Sequence, residues 1–544
     1  MSDQKLIRGT LILTASIFIS KMLGLIYIFP FKEIVGLQGL ALYQYGYTPY
    51  TILLSLATLG IPLAVSKFVS KYNALGDYKT GQRLFRSGIL VMSLMGVFSF
   101  IVLFLLAEPI ARQVVDPEDL AGNSLADVVF TIRMVSVALI VVPIMSLIRG
   151  YFQGFQSMGP TAISQVIEQI IRIIFILVLT YLIINVWSGE LGTAVGFATF
   201  GAFVGALGGL TVLLIYWAKR KGHIQKQIDE STVDHKIPLP KIYKELLSYA
   251  LPIAFVGLAI PLYQLVDMFS FNKAMMYIGY EQGVAEMYFG AFAQAAHKLI
   301  LIPVAVATAM SLTILPTVTN AFINNDTDRL QRYITQTYQI IMFLSIPASL
   351  GLVLLSESAY GTLFGVGEDL PIGAAMLQYY APVAILFSIF AVTSSLLQGI
   401  NRQKYAVIAL LAGLVFKAVF NYPFIIWFDA AGAPIATGIG YLLAIGVNIW
   451  AIGRFASYNY SYLLKRLLLI GMFAAVMSLV VIAVRYTTGE FLSLDSRLNA
   501  GVILTSSVIS GMAVYMYLSV RSGLAEDILG HRFKFLSKRK REKA

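Results

Sequence analysis

Long apolar stretches recur along this 544-residue chain, separated by short segments that carry most of its positive charge. About 20 apolar residues cross a bilayer as a helix. Reading on that length gives fourteen candidate spans: 7–35, 44–72, 84–108, 126–155, 160–186, 191–218, 244–275, 285–322, 329–356, 374–400, 404–428, 432–456, 462–485 and 499–520. Lipid offers backbone groups no partners, so only helices or a closed barrel can cross, and barrel strands would be shorter and alternate in polarity. The expected fold class is an all-α polytopic membrane protein with fourteen transmembrane helices. An apolar fraction of 58%, a charged fraction of 12% and a mean hydropathy of +0.78 agree with lipid as the solvent. Segments 44–72, 126–155 and 285–322 exceed the minimum length and are expected to tilt or to emerge as helix into water. The first apolar run has no small-residue cleavage pattern and reads as a retained span.

The connecting segments alternate in charge. Thirty of the 40 Lys and Arg residues fall on one side, at Lys5 and Arg8, in the segments around Lys67–Arg86, Arg149, Lys219–Lys244, Arg329, Arg402 and Arg454–Arg466, at Arg521 and in the tail His531–Ala544. Only Arg112, Arg485 and Arg497 fall on the other, which holds Asp116, Glu118, Asp119, Glu281, Glu286, Glu368 and Asp369. The positive-inside bias makes the basic side cytoplasmic, with both termini there. The basic residues are too dispersed for a nucleic-acid surface. There are no cysteines, which excludes disulfides, thiolate metal sites and thiol catalysis.

The chain also repeats itself. Pro49 and Pro62 recur as Pro303 and Pro316, Gln153-Gly154 recurs as Gln398-Gly399, and the shift of the second match carries Arg172 onto Lys417. Six spans per repeat make the halves parallel. The expected organisation is an N-lobe at 1–218, a cytoplasmic linker at 219–243, a C-lobe at 244–456, two further spans at 457–520 and a basic cytoplasmic tail at 521–544.

Seven cations lie inside apolar stretches: Lys21, Lys32, Arg133, Arg172, Lys273, Lys298 and Lys417. Each costs about 2.5–3.5 kcal/mol at the bilayer centre by insertion scales, so a chain that keeps them handles negative charge. Lys32, Arg133 and Lys273 lie near span ends, where they can snorkel or contribute to an anion site. Arg172 is placed to pair with Glu168 one turn away. Lys21 and Lys298 sit deep in their spans and are the first candidates for an anion-binding cavity. Glu168 and Asp267 read as the embedded acids, with Asp267 either a salt-bridge partner or part of an ion site. No nucleotide-binding loop, metal-ligand spacing or paired catalytic acids appear, so no cofactor, no metal and no enzymatic activity are expected.

At these residues a resemblance emerges. Ala296-His297-Lys298-Leu299 through Pro303 to Thr313-Ile314-Leu315-Pro316, with Ser20-Lys21-Met22-Leu23-Gly24, resembles two motifs of the MurJ-type lipid II flippases. Arg149-Gly150-Tyr151-Phe152-Gln153-Gly154 and the residues to Gln169 resemble the Gram-positive YtgP/SpoVB-like branch of that family, within the multidrug/oligosaccharidyl-lipid/polysaccharide exporter superfamily. The resemblance implies two six-helix lobes around a cationic cavity formed by spans one, two, seven and eight. It implies a groove for the lipid tail on the last two helices, and Lys21 and Lys298 as diphosphate ligands with His297 beside them. Tyr27 and Leu53-Leu54 stand where many relatives have arginines, a loss that Lys32, Lys273 and Arg133 are placed to offset.

The activity so implied is movement of undecaprenyl-diphosphate-linked peptidoglycan precursor from the inner to the outer leaflet of a bacterial cell membrane, in support of cell-wall biogenesis and cell shape. The lipid-linked precursor, the bilayer and the cell-wall synthesis machinery are the expected partners. A flippase for another polyprenyl-linked glycan is the nearest alternative. A cation-coupled drug antiporter fits less well, because it needs more embedded acids, and a glycan polymerase lacks a large outer loop for its catalytic acids.

Overall fold

The computed structural model describes residues 3–529 apart from 59, 120, 232 and 234–237. Residues 530–544, most of the expected basic tail, lie outside the described residues. Among those described, every regular element is helical, as hydrocarbon demands of a backbone that must bond to itself. The chain divides by packing into two compact units, Met1–Asn272 with Glu281–Glu286, and Lys273–Tyr280 with Met287–Ala544. This is a division by packing, whereas the expected lobes follow the repeat.

The first unit runs α1 (Asp3–Ile26), α2 (Ile28–Thr58), α3 (Ile61–Ala74), α4 (Tyr78–Val114), α5 (Leu125–Ser136), α6 (Ala138–Gly154), α7 (Met158–Tyr181), α8 (Leu191–Asp229) and α9 (Leu239–Gly257). It also takes most of α10 (Ala259–Tyr277) and the first turn of α11 (Gln282–Gly290). Its apolar core gathers Val65, Leu84, Met92, Leu147 and Leu213 from α3, α4, α6 and α8. Phe85, Tyr151 and Trp217 stack there, with Phe85 and Tyr151 centroids 4.0 Å apart. Helix α8 continues ten residues past Lys219, so the expected linker begins as an extension of a span.

In the second unit α12 (His297–Ile323), α13 (Thr327–Leu354), α14 (Ser356–Phe364), α15 (Leu370–Tyr380), α16 (Val383–Gly399), α17 (Gln403–Phe428) and α18 (Gly432–Phe455) are followed by α19 (Ser461–Phe491), α20 (Arg497–Arg521) and α21 (Leu524–Leu529). Helices α19 and α20 pack along each other, and α19 packs on α13. Tyr515 on α20 donates its hydroxyl to Phe343 O on α13 at 2.9 Å. The last two spans are thus fastened to this unit's own core of Phe343, Ile470, Ala474, Met477 and Val481.

Of the three long segments one is broken and two continue as helix. Segment 44–72 stops at Gly60, whose φ of 69° suits glycine, and restarts at α3 with Pro62 in its first turn. Segment 126–155 stays helical through Val137, where α5 passes into α6, and 285–322 passes through a π-helical turn at Ala291–Ala296. Ten helical stretches are long and apolar enough to cross a membrane among the described residues, or twelve if each of two bent pairs is one span. Fourteen is not reached by that measure. Two of the stretches, Ile12–Thr58 and Gln403–Phe455, are interrupted at positive φ by Gly36 (67°) and Asp429 (57°).

The repeat has a structural counterpart in the turns. Gly76 (φ 75°) precedes Asp77, which accepts from Thr80 N at 2.9 Å and caps α4. Asn325 (φ 53°) precedes Asp326, which accepts from Arg329 N at 3.0 Å and caps α13. Gln156 (φ 55°) and Asn401 (φ 56°) follow the two Gln-Gly pairs, and each donates its N–H to the carbonyl of its Gln-Gly glutamine. The same backbone problem is solved at the same place in each half.

Asp77 is fully buried and Asp326 is only partly so. Replacing an N-cap aspartate with alanine costs about 0.5–2 kcal/mol. Asp77→Ala is expected at the upper end of that range and Asp326→Ala at the lower, measured as thermal unfolding of the detergent-solubilised protein. Equal shifts would mean that burial of the cap is irrelevant.

Candidate functional site

In the first unit, α6 and α7 pack together so that three charged side chains meet. Arg172 Nη2 donates to Glu168 Oε1 at 2.8 Å, the pairing expected from their spacing on α7. Arg149 Nη2 donates to Glu168 Oε2 at 2.8 Å, and its Nε and Nη2 reach Ser164 Oγ at 3.0 and 2.6 Å. Arg149 reads as a loop cation in sequence, but α6 carries it inward to this acid. The three side chains are only 12–14% exposed, so two guanidiniums share one carboxylate and leave one net positive charge inside the unit. Arg172 Nε is buried without an acceptor. Tyr43, Tyr47 and Tyr50 on α2 are electrostatic neighbours of this guanidinium.

The remaining expected residues of this unit are dispersed along their helices. Lys21 on α1 is exposed. An ammonium on an apolar helix is tolerated in contact with water and costs several kcal/mol in contact with acyl chains, so its exposure suits a wet surface. Lys32 on α2 is buried at 7% exposure, and so does not snorkel. Arg133 is half-buried on α5 with its guanidinium 4.8 Å from the Phe104 ring centroid, a cation–π contact. Asp267 is buried on α10.

In the second unit His297 is buried at the start of α12, with Nδ1 3.2 Å from the Tyr380 hydroxyl and its ring stacked at 5.9 Å on Tyr380. Lys298 beside it is half-buried, and Lys273 is exposed on α10. Lys417, on α17, is fully buried. Its Nζ donates to Asn421 Oδ1 at 3.3 Å, to Ala433 O at 3.4 Å and to Thr437 Oγ1, so α17 and α18 close an oxygen cage around it. The repeat therefore conserves the place of an embedded cation and changes how it is held, by an acid at Arg172 and by neutral oxygens at Lys417. At the far end of this hairpin Asp429 accepts from the Tyr280 hydroxyl at 2.7 Å, which pushes that phenol up to about 12.

Glu286, read from the sequence as an acid of an outer connection, lies at the head of α11 against the 115–123 loop. Glu286 is fully buried in α11. It accepts from Asn123 N at 2.9 Å and Asn123 Nδ2 at 2.8 Å, and Gln282 Oε1 accepts from Asp116 N at 2.9 Å. The 115–123 loop is thereby tied to the first turn of α11. A Cβ on Gly122 would lie 2.4 Å from Gln282 Nε2, so only glycine admits this approach. Glu286 four residues after Gln282, at the head of an apolar run, is the pattern that signals it.

Comparison with known proteins follows from this geometry. Residues 6–322 match a family model described as "Polysaccharide biosynthesis protein", and residues 252–423 match one described as MatE. The lipid II flippase MurJ of Bacillus subtilis (strain 168) is 46% identical over 532 residues, covering 97% of this chain and 98% of that protein. Stage V sporulation protein B of the same organism is 24% identical, with 77% of each chain covered. Among solved structures, a lipid II flippase MurJ in an inward closed conformation aligns with a TM-score of 0.66 at 16% identity, over 95% of this chain and all of that one. An inward-facing MATE family transporter aligns at 0.63 and 16% identity, over 79% and 94%. At these identities the two structures share a fold with this chain.

Glu168→Ala would leave Arg149 and Arg172 buried without their common acid, a loss of about 3–5 kcal/mol for a broken buried pair. The yield of folded protein in membranes is expected to fall sharply. Adding Arg172→Gln should restore part of it by removing one orphaned charge. Normal yield of the single variant would show that the triad contributes nothing to folding.

Proposed function

This chain belongs to the family of the lipid II flippase MurJ, and on that premise we propose that it is itself a lipid II flippase. The observation that carries this is 46% identity extending over 97% of the chain and 98% of the relative. The protein is a multi-pass membrane protein, and its cargo would be a polyprenyl diphosphate with a glycan head, carried from the cytoplasmic to the outer leaflet. A diphosphate carries about two negative charges and is well matched by lysine ammoniums acting as point charges. Arg172, with Glu168, and Lys417, in its oxygen cage, are held by their own units and suit structural roles. Lys21 and Lys298 are the residues we assign to the diphosphate, with Lys32, Lys273, Arg133, Asp267 and His297 as supporting groups.

The positive-inside partition supports an orientation with both termini cytoplasmic. Fourteen crossings follow if each bent pair is one span and Gly36 and Asp429 each separate two spans. A single helix of 53 residues would be about 80 Å long, more than twice the hydrocarbon thickness. Alternating access moves the head group, and an inside-negative potential favours outward movement of negative charge by about 2.3 kcal/mol per charge per 100 mV. The duplicated halves at 1–218 and 244–456 are the natural moving parts, and 457–520 suits the lipid tail. Cell-wall synthesis enzymes that consume the flipped precursor are the partners this activity calls for.

A flippase for another polyprenyl-linked glycan is the second reading, favoured by the match to a polysaccharide biosynthesis model over residues 6–322. Drug antiport has the MatE match over residues 252–423 and a likeness in fold to MATE transporters at 16% identity, both weaker than the full-length match to MurJ. Expression in a strain depleted of its own lipid II flippase separates these readings. Restored growth, with lipid II no longer accumulating on the inner leaflet, is expected. Failure to complement despite normal membrane levels would overturn the proposal.

In that strain Lys21→Ala and Lys298→Ala should each abolish complementation at normal protein levels, while Lys→Arg retains much of it. Lys→Glu should be worst, since it sets like charge beside phosphate where screening is weak. Fully active alanine variants at both positions would remove these lysines from the diphosphate site.

A further inference from the structure

Within the second unit, a cavity of about 510 Å³ opens where α14 meets the end of α19 and the start of α20. Its volume lies in the range of small-molecule sites. Arg485, Glu490, Ser358 and Ser493 supply its polar wall, and Ile482 and Ile503 supply part of the apolar one. Arg485 is held in place, with Nη1 donating to Leu354 O at 2.7 Å and Nη2 to Glu357 Oε2 at 2.5 Å. Two of its five N–H groups are used in this way, which leaves donors for a ligand. Ser358 is fully buried, and its Oγ has no hydrogen-bond partner. Leaving such a hydroxyl unsatisfied is costly, and it points to a group that completes it. Tyr486 and Phe491 on α19 and Leu498 on α20 are 69%, 87% and 82% exposed at the same end, so the cavity mouth lies among side chains suited to the lipid interface.

The charges select the occupant. A lone anion at Arg485 would face Glu490 and Glu357, and a lone cation would face Arg485. A polyprenyl or acyl tail has nothing to offer any of them. A zwitterion with phosphate and ammonium a few ångströms apart satisfies both signs. We infer that this cavity binds the head group of an aminophospholipid of the phosphatidylethanolamine type, its phosphate on Arg485 and Ser358 and its ammonium on Glu490. The site is thus built for a membrane lipid rather than for the cargo. Arg485 and Arg497 fall on the side read above as outer, so the lipid would come from the outer leaflet; that placement alone rests on the orientation proposed above, and the head-group chemistry stands without it.

Gly489 lines the cavity, and a Cβ built there meets nothing within 4 Å. Gly489→Leu therefore fills the space without displacing a wall. The test is native mass spectrometry of the full-length purified protein, delipidated and then exposed to equal amounts of phosphatidylethanolamine, phosphatidylglycerol and undecaprenyl phosphate. One phosphatidylethanolamine should be retained in preference to the other two. Arg485→Ala and Gly489→Leu should each lower that retention about tenfold, the scale of one lost charge-assisted contact. Glu490→Gln should abolish the preference over phosphatidylglycerol. Equal retention of the three lipids by the unaltered protein would overturn the inference. So would retention unchanged in Gly489→Leu at an unchanged thermal unfolding temperature. Preferential, Arg485-dependent retention of undecaprenyl phosphate would overturn it too and assign the cavity to the cargo. None of these outcomes depends on complementation, so the failure of this site and the failure of the flippase reading are separable.

Discussion

Every backbone group within the hydrocarbon must find its partner inside the chain, and the architecture depends on that requirement. It makes each span a helix and makes each interruption costly, so interruptions fall where a residue can turn the chain at little cost. Gly36, Gly60, Gly76 and Asp429 all lie at positive φ and mark such places. The carbonyls freed at the turn after α6 are taken up by Phe155 N, Gln156 N and Ser157 N, and those after α16 by Ile400 N, Asn401 N and Arg402 N. That the two halves use the same turn is what one expects of a duplicated unit under one solvent constraint.

Charge inside the apolar spans obeys a second version of the same rule. Arg172 is partnered by Glu168, which also takes Arg149, and Lys417 is wrapped by oxygens from its own helix and the next. Glu286 is neutralised in effect by donors from Asn123 and Gln282. These groups are held too firmly by the protein to exchange partners with a passing ligand. Their contribution is to fix helix pairs and loops at set distances.

Much of the fold was legible in the sequence, because length and hydropathy report directly on membrane crossing. The Arg172–Glu168 pair was legible too, since four residues on a helix place two side chains together without any tertiary information. Arg149 was not, because its approach depends on how α6 packs against α7 across a turn. The burial of Glu286 was hidden for a related reason. An acid at the head of an apolar run reads as solvated unless one knows that the 115–123 loop folds over it. Broken spans were hidden as well: hydropathy averages over a window and passes straight through Gly36 or Gly60, whereas the backbone does not. Lys32 shows the limit of the snorkelling argument, which knows depth along a helix but not which face is covered.

The contrast among the embedded cations carries the functional reading further than their number does. A cation whose donors are used within its own fold contributes a fixed field, and a cation that remains exposed on an apolar helix contributes a contact. Lys417, fully buried, is of the first kind, while Lys21 is exposed. A transporter of a dianionic head group needs both, since a field alone would hold the cargo nowhere in particular and a contact alone would bind it too tightly to release. Arg172 retains about half of one carboxylate's compensation, because Glu168 is shared with Arg149. The first unit therefore keeps a residual positive charge on guanidiniums held by its own helices. On the flippase reading proposed above, such a charge would lower the cost of bringing a diphosphate out of water.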